Sequence, residues 1–156
     1  MSKRLFAAVV ATMAVITPAA ADFASGWDAY LKQDYETARR EWRPLAEQGD
    51  PKAQYAIGIV YAKGHGVEQD YAEAVKWFTS AAKQGNASAR FLLGYMYAMG
   101  QGVSRDPVKA YVWYTLAADG GHASAAQARD KLADKMSADQ IAAAQAIVAA
   151  RLKKAD

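Results

Sequence analysis

The chain repeats itself. Asp34, Asp70 and Asp106 stand thirty-six residues apart, and the segments after them carry the same kinds of residue in the same places. Ala38, Ala74 and Ala110 recur, then the aromatics Trp42, Phe78 and Tyr114, then Ala46, Ala82 and Ala118, then Gly49, Gly85 and Gly121. A period of this length restricts the chain to an array of small supersecondary units, each unable to bury its apolar side alone and therefore stacked on its neighbours. The residues that recur are the ones that stack, so the period fixes the fold and says much less about function.

Four-residue steps place each recurring set on one helix face, with alanines allowing close approach and aromatic rings filling the space between layers. Each aspartate precedes a helical run and suits an N-cap; Asp70 with Glu73 has capping-box spacing, and Asp106 is followed by Pro107 at the first helical position. The glycines Gly49, Gly85 and Gly121 close the runs where a positive φ ends a helix at no steric cost. Asp50-Pro51, Asn86-Ala87 and His122-Ala123 open the next helices almost at once, which leaves room only for antiparallel pairs. Those helices read AQYAIGIVYAKG from Ala53 and ARFLLGYMYAMG from Ala89. Gly58 and Gly94 inside them cost about 1 kcal/mol relative to alanine, and their recurrence predicts a backbone-to-backbone helix contact. The loops GHGVEQ and GQGVSR follow, each read as a fixed turn pinned by its valine. A short amphipathic helix carrying Phe23, Trp27, Tyr30 and Leu31 precedes the first complete copy. The last copy breaks the pattern: Asp130 replaces the helix glycine and no GxGV loop appears. Ser137 to Gln140 forms a further capping box, and a final helix with Ile141, Ala144, Val148 and Leu152 on one side is expected to close the array with its other side wet.

The first residues, MSKRLFAAVVATMAVITPAAADF, have the form of a secretory leader: basic Lys3 and Arg4, an uncharged run from Leu5 to Ile16, and Ala19-Ala20-Ala21 as the cleavage site before Asp22. The alternative is a retained anchor, for which the run is at the short end and Pro18 is badly placed. Residues 1–21 are therefore expected to be a signal peptide and residues 22–156 the repeat domain, with units over about 22–49, 53–85 and 89–121 and a degenerate copy and cap over 122–156. The formal charge of +3 then falls to +1, since Lys3 and Arg4 leave with the leader, and no basic block argues for nucleic acid. The chain has no cysteine, so an exported form is held by its apolar core alone.

Taken together, Ala89 to Val103 followed by Asp106, Lys109, Ala110, Trp113, Tyr114, Ala117, Ala118 and Gly121 closely resemble the Sel1-like repeat family, relatives of the tetratricopeptide repeat with a longer loop inside each helix pair. The copy from Ala53 to Ala82 is similar, with Trp77 and Phe78 at the aromatic pair. The resemblance implies an all-α fold, a right-handed solenoid of antiparallel helix pairs with a C-terminal capping helix, whose concave side is lined by the first helix of each pair. It also implies an adaptor that binds other proteins; exported members serve envelope signalling, exopolysaccharide production or host contact. A cysteine-rich subgroup linked to β-lactam binding or hydrolysis is similar in repeat length, and it supplies the alternative of a cell-wall-fragment binder or hydrolase.

Little in the sequence argues for catalysis. His65 and His122 sit at a loop and a helix start and read as solvated residues, without companions for a metal site. Ser80 and Lys83 match an S-x-x-K motif, but neither S-D-N nor K-T-G accompanies it. Asn86-Ala87-Ser88 is a formal glycosylation sequon already explained as a helix cap. No cofactor motif is present, and an enzyme is not expected. The positions that differ between copies are the candidates for binding: Gln54, Ile59 and Lys63 in one first helix, Arg90, Tyr95 and Met99 in the next, read as sharing a face suited to a protein or peptide partner in the periplasm or outside the cell. The alternative is that they meet solvent or a neighbouring helix.

Overall fold

A computed structural model describes residues 21–154; apart from Ala21, the leader expected over residues 1–21 lies outside them. The described residues form eight helices and no strand: α1 (Phe23–Leu31), α2 (Tyr35–Glu47), α3 (Pro51–Lys63), α4 (Tyr71–Lys83), α5 (Ala87–Met99), α6 (Pro107–Asp119), α7 (Ala125–Ala133) and α8 (Ala138–Leu152). Each packs chiefly on its neighbours in the chain, and α8 returns to pack on α6. The architecture is an α-solenoid of helix pairs, with α1, α3, α5 and α7 as first helices and α2, α4 and α6 as second.

The caps form as the aspartates suggest. Asp34, Asp50, Asp70, Asn86 and Asp106 each accept a hydrogen bond from the backbone N–H three residues on, at 2.8–3.1 Å. The box expected at Asp70 has only this arm, because the Glu73 carboxylate instead accepts from Lys76 Nζ at 2.8 Å and Trp77 Nε1 at 3.1 Å. Ser137 and Gln140 form both arms of theirs.

One device recurs through the stack. Trp42, Phe78 and Tyr114 are buried on the second helices, and each ring lies against a glycine of the preceding first helix: Gly26, Gly58 and Gly94. A Cβ at Gly58 would fall 2.5 Å from the Phe78 ring, and one at Gly94 at the same distance from Tyr114. The expected backbone-to-backbone contact is therefore a backbone-to-ring contact. Gly26, in α1, extends the pattern one unit upstream, where Trp42 Nε1 also donates to the Phe23 carbonyl at 3.1 Å.

The GxGV loops are built alike. Gly64 and Gly66 have φ of 67° and 70°, Gly100 and Gly102 of 70° and 67°, conformations that L side chains adopt at a cost. Val67 and Val103 pack inward against the adjoining core clusters. At the far end, α7 has only nine residues and no side-chain cap. The expected wet side of α8 is mostly small and apolar: Ala142, Ala143, Ala146, Ala149 and Ala150 are exposed, and Leu152, expected on the packed side, is 48% exposed.

Candidate functional site

Of the residues that follow the ring-bearing glycines, Trp27 and Tyr95 are exposed and Ile59 is partly buried, packed against the core around Phe78. Trp27, Ile59 and Tyr95 follow Gly26, Gly58 and Gly94, and Leu31, Lys63 and Met99 stand four residues further, one helical turn on. These six side chains make a ladder across α1, α3 and α5. Trp27, Leu31, Tyr95 and Met99 belong to the few large apolar residues left exposed, at 46%, 64%, 42% and 59%. Ile59 and Lys63 are the middle rung and line a groove on either side. The groove toward α1, about 270 Å³, is walled by Trp27, Tyr30, Trp42 and Tyr55; the one toward α5, about 230 Å³, by Tyr71, Leu92 and Tyr95, with Phe78 at its floor.

Of the residues singled out from the sequence, Ile59, Lys63, Tyr95 and Met99 come together on this ladder. Gln54 and Arg90 do not. Gln54 is buried at 7% exposure; its Nε2 donates to the Ala46 carbonyl at 3.1 Å, and its Oε1 accepts from Gln84 Nε2 at 2.8 Å. Arg90 occupies the equivalent position in the next unit and does the equivalent work, Nε donating to the Ala82 carbonyl at 3.0 Å and Nη1 to the Leu116 carbonyl at 3.1 Å. Five residues separate Gln54 from Ile59, an angular step of about 140° at 3.6 residues per turn, so the two cannot share a face. Both side chains are struts that add a second hydrogen bond to carbonyls in the final turns of α2, α4 and α6, which already accept the backbone N–H of Gly49, Gly85 and Gly120.

Trp27 and Leu31 were legible only as part of an amphipathic helix, because the first unit lacks the GxGV loop by which the others align. Gly26, placed before Trp27 as Gly58 is before Ile59, is the signal that identifies them.

Neither histidine is simply solvated. His65 is half-buried, stacked on Tyr35 with ring centroids 4.4 Å apart, and its Nδ1 lies 2.9 Å from the Tyr30 hydroxyl at the edge of the first groove. Burial, then the neighbouring Tyr35 and Tyr55, raise the Tyr30 phenol above its ordinary value. His122 stacks on Phe91 at 4.2 Å, its Nδ1 is buried without a hydrogen-bond partner, and Ser124, not His122, occupies the N-cap of α7. Ser80 is exposed and its hydroxyl donates to the Lys76 carbonyl at 3.2 Å. Among the described residues no group of three or more His, Cys, Asp or Glu is arranged to hold a metal ion, and no helix is long and apolar enough to cross a membrane.

The Sel1 repeat family model matches residues 51–86 and 87–122. The chain is similar to a protective antigen of uropathogenic Escherichia coli that displays an SLR fold, at 28% identity and a TM-score of 0.75 over 79% of this chain and 27% of that one. It is also similar to a Sel1 repeat protein from Oxalobacter formigenes, at 38% identity and a TM-score of 0.68 over 71% of this chain and 46% of that one. The chain thus spans less than half the length of each of these structures. No curated protein matches it. Sel1 repeat proteins generally mediate protein–protein interaction, and their scaffold is typically non-catalytic. With the thirty-six-residue period, the match to the family model identifies residues 51–86 and 87–122 of this chain as two Sel1 repeats.

Proposed function

We propose that this chain is an exported adaptor that holds a peptide segment or a partner protein along the ladder of α1, α3 and α5, the concave side of the solenoid, in the bacterial envelope. The observation that carries the reading is the continuity of the ladder. Three successive first helices each leave a large side chain in the open at one or both of the same two positions, Ile59 alone among the six being partly buried against the core. Monomeric proteins bear single exposed apolar residues as a matter of course, whereas an aligned set with grooves between the rungs is suited to recognition. Tryptophan, tyrosine and methionine offer much contact area for little lost side-chain freedom, and Lys63 adds one charge between the grooves, suited to an acidic side chain of the partner. Export rests on the leader read in residues 1–21.

The test is capture of partners from the periplasmic fraction by wild type and by Tyr95→Ser with Met99→Ser, followed by titration of whichever partner the wild type retains. Both residues are exposed, so the variant's melting temperature should stay within a degree or two of wild type while affinity falls at least tenfold. Undiminished affinity in the folded variant would exclude the ladder as the binding surface.

A further inference from the structure

We propose that the cavity where α4, α6 and α8 end binds a carboxylate group, with Arg90 and Arg151 as its donors, Lys83 at the rim and Trp113 as its wall. This cavity is separate from the ladder. It measures about 440 Å³ and is lined by those four residues together with Leu116 and Asp119.

Arg90 reaches it already fixed. Its Nε and Nη1 are bonded to the carbonyls of Ala82 and Leu116, which leaves Nη2 with no hydrogen-bond partner among the described residues. A guanidinium held this way loses little further freedom when it binds an anion. Arg151 lies over the Trp113 ring at 4.7 Å from its centroid, so its planar fork is oriented as well. Among the described residues, Lys83, Arg90 and Arg151 take part in no ion pair.

The C-terminal ends of helices favour cations, and Lys83 and Arg151 stand in the last turns of α4 and α8. That accounts for a cation at each end. Arg90, rooted at the start of α5, projects between them, and its two carbonyl contacts, to Ala82 and Leu116, leave its charge unmatched. Three cationic groups then line one cavity against the single carboxylate of Asp119. Burial, followed by repulsion from Arg151, holds the Arg90 guanidinium below its ordinary value, and attraction by Asp119 is the smaller opposing influence. An anion between the two arginines relieves that repulsion. A carboxylate suits the site better than a polyanion, because it is flat, matches the Arg151 fork edge to edge and carries one charge past Asp119.

The carboxylate can belong to a free organic acid or to a peptide C-terminus. Titrations of the ¹⁵N-labelled protein at constant ionic strength with benzoate and with acetyl-trialanine, each against its neutral amide, separate the two. The indole N–H of Trp113 and the Nε–H of Arg151 and Arg90 report binding. Saturable shifts with the acids and none with the amides are expected, and Arg151→Gln and Lys83→Gln, both folded, should weaken the tighter acid at least tenfold and about threefold. Tighter binding of the peptide acid assigns the site to a chain terminus; tighter binding of benzoate assigns it to a free acid. Equal shifts with acids and amides, no saturation with either acid, or an Arg151→Gln variant within twofold of wild type would overturn the proposal.

Discussion

Gly58→Ala adds one methyl group and tests the main packing device of the stack. The new Cβ would stand 2.5 Å from Cε1 of Phe78, closer than any carbon pair tolerates. Phe78 is only 1% exposed, with the Tyr55 ring centroid 5.9 Å away, so the ring has little room to retreat. Overpacking of a filled core typically costs about 1 to 3 kcal/mol. Against this, alanine is about 1 kcal/mol better than glycine inside a helix. The two effects have opposite signs, and the clash should win by roughly 1 kcal/mol, which for a domain of this size lowers the melting temperature by about 3 °C. Thermal unfolding followed by circular dichroism measures the change. The same substitution in a Phe78→Leu background separates the causes: with the ring gone, the added methyl meets open space and helix propensity alone remains, so Gly58→Ala should become neutral or stabilising there. If Gly58→Ala stabilises the wild type, or lowers stability equally in both backgrounds, the ring is not the reason for the glycine.

Gln54→Ala should destabilise the protein by about 1 kcal/mol in urea unfolding, because it removes the hydrogen bonds to the Ala46 carbonyl and from Gln84, both of which keep another partner; a freely exposed residue would give no change. Removing the cap with Asp70→Ala should cost about 1 kcal/mol by the same measurement. Burial pushes the Tyr114 phenol up to about 12 from an ordinary value of 10.0, so the fold disfavours its ionised form. The stability this contributes is fully present below pH 10 and is lost as pH rises from there toward 12, and Tyr30 and Tyr55, also raised by burial, act in the same direction. Melting temperatures between pH 8 and 12 should fall above pH 10, and the fall should be shallower in Tyr114→Phe.

The struts explain why variation between repeats misleads as a guide to binding. Gln54 in one unit becomes Arg90 in the next, yet both bond the carbonyl eight residues back. Gln69 and Arg105 repeat the exchange, Nε2 of one and Nε of the other donating to the carbonyls of Ala62 and Ala98, seven residues back. What is preserved is a donor at the end of a long flexible stem, which glutamine and arginine supply equally, and a comparison of residue types alone registers this as change. Lys63, Tyr95 and Met99 vary for the other reason: they are exposed and the fold makes little demand on them, whereas Ile59 is partly buried against the neighbouring core.

Local rules were sufficient for much of this protein. A thirty-six-residue period, side chains able to cap at helix starts and glycines at helix ends determine the helix pairs, their order and their stacking, because each depends on contacts within a unit or with the next one. Tertiary structure decided what lies between units. That Gly58 and Gly94 receive rings, that Gln54 is buried while Lys63 is exposed, that Trp27 completes the ladder, and that Arg90, Arg151 and Lys83 meet in one cavity all depend on how the helices turn about their axes and where α8 comes back. Helical periodicity places residues relative to one another on a helix, and only packing against a neighbour decides which side of it is buried.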